Sequence, residues 1–289
     1  MKHNKKWLNR LLTVNTPTEI LRKIWFLKVI PRNRVFNIDL KTGLKMVLPT
    51  NDFGLSKDLY AKKIRETKAI NFYLKNLKET DRIIDCGANM GYFVIHGAKK
   101  AEFVYAVEPV ETSICFAGVN CFVNNIKNFK LFNVAIGNEN KISKFYTSKY
   151  FNLSSVNKRI DNNIDLDYTE IEIPMHKLDD FVEQNNITAN ILRMDTEGHE
   201  LDIFRGATKF LKKPNACVFL EVHKIFIGAK GIIKLCDILI NSGFDLAYIC
   251  TDDKVDLNAN FEKIGLEELK EVANKQAEVF HLFARKGML

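Results

Sequence analysis

The chain has 289 residues, 46% of them hydrophobic, with only 14 Gly and 6 Pro. That suits one large globular domain or a domain with an extension, and it excludes disorder, collagen and a small disulfide scaffold. The net charge of +8 is unevenly placed: residues 1–80 hold 18 Lys and Arg against 6 Asp and Glu, the rest 25 against 29, so the N-terminal quarter suits phosphate, anionic lipid or an acidic substrate unless it is simply a solvated helical face.

Residues 17–29 open with Thr16 as a helix N-cap and Pro17 at the first helical position, then place Ile20, Leu21, Ile24, Trp25 and Lys28 on helical spacing. This predicts an amphipathic helix with a basic side. Trp7 and Trp25 both fall in the basic region, a composition that interfacial helices share; the alternative is that Trp25 docks the helix on the domain. Alternating runs at 35–40 and 44–49, separated by Lys41, Thr42 and Gly43, predict a β-hairpin, and a helix is expected over 55–77.

From Asp81 the pattern becomes strand and helix in turn. Strands are expected at 82–86, 103–107, 129–134, 190–194, 216–222, 244–250 and 278–285, with helices near 90–100, 110–124, 178–185, 199–211, 229–241 and 263–274. Such alternation gives an α/β fold, a mostly parallel sheet covered on both faces. Residues 137–175 depart from it: they are polar and strand-prone, with "KISKFYT" and "YTEIEIP" as extra strands. An insertion of that length in an α/β domain is commonly functional, and its part 147–165 is expected to line an acceptor cleft. The chain thus divides into a basic accessory segment, 1–80, and a larger α/β domain, 81–289.

The most informative stretch is "RIIDCGANMGYFVIHGA". Asp85 ends a buried strand, and Gly87, Ala88, Asn89 and Gly91 form a G-x-N-x-G turn into a helix. Small or left-handed-tolerant residues let the backbone turn sharply and a ligand approach closely. A nicotinamide dinucleotide fingerprint needs G-x-G-x-x-G, whereas here the third glycine comes early and an acid precedes the first. That carboxylate suits a cationic ligand end such as the ammonium and sulfonium of S-adenosylmethionine. Glu108, 23 residues on at the tip of the second strand, is placed to accept hydrogen bonds from two ribose hydroxyls. After the third strand, Asn133 to Ile136, with Ala135 among them, fall where an adenine ring would rest.

The second candidate site is "NILRMDTEGHELDIFRGA". Asp195 lies at the end of the fourth parallel strand, and Glu197, His199 and Glu200 crowd the start of a helix. Acids there also favour the helix dipole. The next strand brings Glu221 and His223 to the same rim, so these groups could converge. Such a cluster acts as a base or holds a divalent metal, and the base is favoured here, with no resident metal.

On "DCGANMGYF", "VEP", "LDDF" at 178–181, "RMDTEGHELDIFRGA" and "LEV", the sequence resembles the FkbM family of S-adenosylmethionine-dependent methyltransferases over about residues 80–225. Cys86, Arg193 and Thr196 are small departures that remove no required chemical group. The resemblance implies a Rossmann-like class I methyltransferase domain with a seven-stranded sheet, its last strand antiparallel, S-adenosylmethionine as cofactor, and hydroxyl groups of sugars or secondary metabolites as acceptors. Asp195 is expected to orient the acceptor and Glu197 or His199 to take its proton; Asp85, Gly87, Ala88, Asn89, Gly91, Glu108 and Ala135 are expected to hold the cofactor.

The six cysteines form no C-x-x-C pair and read as buried, reduced thiols. Charges interrupt every apolar stretch near the start, so neither a signal peptide nor a spanning helix is expected, and the chain is placed in the cytoplasm with peripheral contact at the inner membrane surface as an extension of that reading. Two competing classes are a nicotinamide-dependent oxidoreductase, disfavoured by the glycine spacing, and a nucleic-acid binder, disfavoured because the aromatic-plus-basic strand motif of common RNA readers is missing.

Overall fold

Residues 16–147, 168–251 and 260–287 are described by the computed structural model; Trp7 and nearly all of the 147–165 loop lie outside them. Thr16 caps α1 (Pro17–Lys28) through a reciprocal box, its hydroxyl accepting from the Glu19 N–H while Glu19 accepts from the Thr16 N–H. The helix docks through Phe26, which is fully buried against the rings of Phe36 and Tyr60, while Leu21 (66%) and Trp25 (55%) face outward. Trp25 therefore does not dock the helix.

Strands β1 (Val35–Asp39) and β2 (Lys45–Pro49) form the expected hairpin, with Val35 opposite Pro49. The single helix expected over 55–77 is instead two, α2 (Leu55–Lys62) and α3 (Thr67–Asn76). The chain breaks where Lys63 and Glu66 take φ of 59° and 48°, a region that residues with a Cβ enter only when neighbours hold them there. The Lys41 N–H donating to the Lys63 carbonyl at 2.8 Å is one such hold.

The alternating region supplies β3 (Arg82–Cys86), α4 (Tyr92–Ala98), β4 (Phe103–Val107), α5 (Glu111–Val123), β5 (Phe129–Phe132), β6 (Ala135–Gly137), β7 (Lys141–Thr147), β8 (Thr169–Lys177), α6 (Leu178–Gln184) and β9 (Ile191–Met194). It continues with α7 (Glu200–Arg205), α8 (Thr208–Lys212), β10 (Cys217–His223), α9 (Lys224–Asn241), β11 (Leu246–Thr251), β12 (Glu262–Gly265), α10 (Leu266–Glu271) and β13 (Val279–Arg285). The main sheet has the order β12-β11-β13-β10-β9-β3-β4-β5. Five neighbours, β10 to β5, run parallel, and β13 is inserted antiparallel between β10 and β11. This is the Rossmann-like arrangement with the expected antiparallel last strand.

The described sheet has eight strands rather than seven, because Glu262–Gly265, overlapping the start of the helix expected near 263–274, pairs antiparallel with β11. The helix expected over 199–211 also breaks in two. A Cβ on Gly206 would lie 2.1 Å from the Gly137 carbonyl oxygen, so two backbones touch where the helix would have continued. Residues 135–137, which follow the expected third strand, pair with β8, which also pairs with β7; the two predicted extra strands thus form, with them, a separate three-stranded sheet.

Strand alternation sorts the core. Ile84, Cys86, Leu192, Met194, Val218 and Leu220 face one side, against α6 to α10. Ile83, Val104, Ala106, Ile191 and Phe219 face the other, and there the N-terminal segment shares their core through Ile38, Met46, Leu48, Leu59 and Ile70. Asn120 of α5 and Asn124 at its C-terminal cap tie the hairpin down by accepting from the Val47 and Lys45 N–H groups at 2.6 and 2.9 Å. Five cysteines are buried and none is disulfide-bonded, but Cys115, on the outer side of α5, is exposed, contrary to expectation. Among the described residues no helix is long and apolar enough to cross a membrane.

Candidate active site

The ends of β3, β4 and β9 meet where the strand order reverses, the place an open α/β sheet offers a ligand. The loop after β3 approaches β9 so closely that a Cβ on Gly87 would sit 2.0 Å from the Asp195 carbonyl oxygen. Gly87 and Gly91 have φ of +80° and +84°, and Asn89 between them has +49°. Gly91 lies close against α5, where a Cβ on it would come 3.0 Å from the α-carbon of Ala117.

Beside this loop lies a cleft with an empty volume of about 640 Å³. Gly87, Asn89 and Glu108 line it, Val107, Pro109, Val134, Ala135, Ile136, Phe145 and Ile203 supply apolar walls, and Asp195, Thr196, Glu197 and His199 close the far end. Glu108 is fixed by the Asn89 and Val110 N–H groups, each donating to one carboxylate oxygen at 2.9 Å. Burial nevertheless pushes its pKa up to about 7. A fixed carboxylate flanked by apolar walls suits a ribose diol with an attached planar base.

Asp85 behaves differently from the expectation. It is buried and does not line the cleft; Arg193 reaches across from β9 and donates to it at 2.9 Å. Burial raises the Asp85 pKa and Arg193 opposes that rise. Arg193 also donates to Oδ2 of Asp195 at 3.3 Å and lies 4.1 Å above the Phe93 ring. The acid before the glycine turn thus acts on the site through an arginine, because residues 191, 193 and 195 share the sheet face that Asp85 occupies. Ala88 faces a second, smaller hollow on the other side of the loop, lined also by Arg65, Glu66, Tyr92, Arg193 and Asp195.

At the far end, burial alone would raise the Asp195 pKa, but Arg193 and His223 overcome it and hold it low. His223 lies with Nδ1 2.9 Å from Glu200 Oε1 and Nε2 3.4 Å from Glu197 Oε2. Burial works against its charge, yet Glu197, Glu200 and Glu221 raise its pKa to about 10. His199 is the opposite case: burial lowers its pKa, and its nearest acid, Asp202, is 3.5 Å from Nδ1. Burial and charge thus push the two imidazoles in opposite directions, and of the two only His199 lines the cleft. Of the cluster expected to converge, Asp195, Glu197 and His223 do so; His199 shares only the cleft wall with the two acids, and Glu221 lies one step back on β10 and acts on Arg65 and His223 by charge.

The sequence reading did not single out Phe145, Ile203, Arg65 or Glu66. Phe145 had a usable signal, since it alternates with Ser143 inside "KISKFYT" and both point inward. Arg65 and Glu66 had none, because their approach depends on the break between α2 and α3.

Comparison with known proteins gives the same architecture a family. A relative from Methanocaldococcus jannaschii, a probable cobalt-precorrin-6B C(15)-methyltransferase (decarboxylating), is 25% identical over 186 residues, 64% of this chain and 97% of that protein. Among solved structures, the methyltransferase FkbM of Methylobacillus flagellatus KT is 12% identical with a TM-score of 0.47; the match covers 78% of this chain and 52% of that one, so this chain spans about half its length. TYW2 of M. jannaschii, solved in complex with AdoMet, is 13% identical with a TM-score of 0.47 and 89% of each chain covered. The family model of the methyltransferase FkbM domain matches residues 85–246, more than half of the sequence, and the chain belongs to that family.

Proposed function

We propose that the protein transfers the methyl group of S-adenosylmethionine to a hydroxyl oxygen of a sugar, glycan or secondary metabolite. The observation that carries this reading is the make-up of the cleft, with the fixed carboxylate of Glu108 at one end and the buried imidazole of His199 beside Asp195 at the other. The cofactor supplies an activated methyl group on a sulfonium. When bound, the cofactor would be held by Glu108 at its ribose hydroxyls and by Ala135 and Ile136 at its adenine, with Arg65, Glu66 and Arg193 of the neighbouring hollow as the charged groups for its methionine end. Asp195 orients the acceptor. His199, kept neutral by burial, takes the hydroxyl proton as the oxygen attacks in line.

A carbon acceptor is the competing reading, favoured by the named activity of the Methanocaldococcus relative. Incubation with methyl-labelled cofactor and a panel of glycans and phenols, followed by mass spectrometry, separates them: the reading expects an O-methyl product. Labelled product carrying the methyl on carbon alone would replace it.

The reading extends to where the acceptor is met. Leu21, Ile24, Trp25 and Val29 form an exposed apolar stripe on and just beyond α1, within the segment that holds all of the chain's excess positive charge. That composition supports peripheral contact with an anionic lipid surface. Pelleting with phosphatidylglycerol vesicles tests it, and binding that survives Trp25→Ala with Leu21→Ser would count against it.

A further inference from the structure

The far end of the cleft holds more than a proton acceptor needs. Asp195 and Glu197 follow β9 and His223 ends β10, and one ligating atom from each lies within 4.8 Å of the others. The ring of His223 is 4% exposed and is held from behind, Nδ1 lying 2.9 Å from Oε1 of the fully buried Glu200. With its proton on Nδ1, the ring turns Nε2 toward Glu197 Oε2 at 3.4 Å and Asp195 Oδ1 at 4.0 Å. Asp195 gives its other oxygen, Oδ2, to Arg193, which leaves Oδ1 toward the histidine.

A carboxylate behind one imidazole nitrogen, with the other nitrogen facing further oxygen donors, is the arrangement by which proteins fix a metal-binding histidine. The spacing also fits: two ligands each about 2.1 Å from an ion at a tetrahedral angle stand about 3.4 Å apart. A movement of a few tenths of an ångström would bring Asp195 to the same span.

We propose that Asp195, Glu197 and His223 bind a divalent cation, with Glu200 as the positioning residue that orients His223. The imidazole among the donors selects an ion of mixed nitrogen and oxygen preference, of the manganese or zinc kind, over the all-oxygen sites that calcium and magnesium take. Two carboxylates against a double positive charge make a neutral group, the condition under which an ion tolerates a site this buried. Because Asp195 and Glu197 line the cleft, the ion faces the place where the acceptor enters, beside His199. Its role at that place rests on the methyl-transfer reading, whereas its binding does not.

The test is titration of the metal-free full-length protein with Mn²⁺, followed by electron paramagnetic resonance, and with Zn²⁺ by calorimetry. Circular dichroism serves as the fold control, and S-adenosylmethionine binding is measured separately. One equivalent bound per chain is expected, weakened at least tenfold in Asp195→Asn and in His223→Gln. Glu200→Gln, which keeps the side-chain shape but weakens its hold on the ring, is expected to weaken binding 10- to 100-fold. A folded wild type that binds neither ion, or binding unchanged in the folded Asp195→Asn and His223→Gln variants, overturns the proposal. Cofactor binding without metal binding defeats the metal site alone; metal binding without cofactor binding defeats the methyl-transfer reading and leaves the site standing.

Discussion

Glu108 shows how one residue's environment sets a measurable property. Burial lifts its pKa to about 7, so near neutrality much of it is protonated before a ligand arrives. Hydroxyl donors prefer the carboxylate, so the binding-competent fraction grows as pH rises through that value. S-Adenosylmethionine affinity measured by calorimetry should increase about tenfold between pH 6 and pH 8. In Glu108→Gln that dependence should flatten. His199→Ala should lower kcat by a factor of about 10² to 10⁴ with cofactor affinity little changed, as loss of a general base does. Asp85→Ala should act through stability instead, costing about 3–5 kcal/mol in chemical denaturation, because it leaves Arg193 buried without its closest carboxylate. Asp85 is also where the residue-scale reading of sequence went furthest astray. The acid before the glycine turn was legible, but its partner lies 108 residues away and only the pairing of β3 with β9 brings the two together.

At the scale of elements, the parallel strands and their faces were readable because a period of two is a local property of the chain. What stayed hidden were the interruptions. The turn between α2 and α3 uses Lys63 and Glu66 in left-handed conformations, residue types that carry no turn signal. The break between α7 and α8 comes from a backbone contact at Gly206, and β12 is a strand because the edge of β11 is there to pair with. The loop after β3 was easier, since its glycines announce it. Gly87→Ala would force a Cβ into the Asp195 carbonyl, and thermal unfolding should show at least about 2 kcal/mol of destabilisation together with weakened cofactor binding. In α1 the register decides the outcome: Phe26→Ala should cost about 3–5 kcal/mol, and Trp25→Ala within about 0.5 kcal/mol.

For the whole molecule, composition separated a basic N-terminal segment from the rest, and the packing explains what that segment does for the site. Its hairpin and helices cover the sheet face that carries Asp85, Arg193 and Glu221, so the charged groups behind the cleft are buried by residues distant in sequence. A chain beginning at residue 81 would expose Ile83, Val94 and Phe219, and it should fail to unfold cooperatively in calorimetry. The sequence could mark the segment by charge, but that its Arg65 and Glu66 reach the glycine loop is a consequence of tertiary packing alone.

The central claim is that the cleft between β3, β4 and β9 holds S-adenosylmethionine. Calorimetric titration of the full-length protein with that compound and with S-adenosylhomocysteine, in wild type and in Glu108→Ala, tests it most directly. The account predicts micromolar binding of both by wild type and a loss of at least tenfold in a folded Glu108→Ala. A folded wild type that binds neither compound, or a Glu108→Ala variant that binds as tightly as wild type, would contradict it.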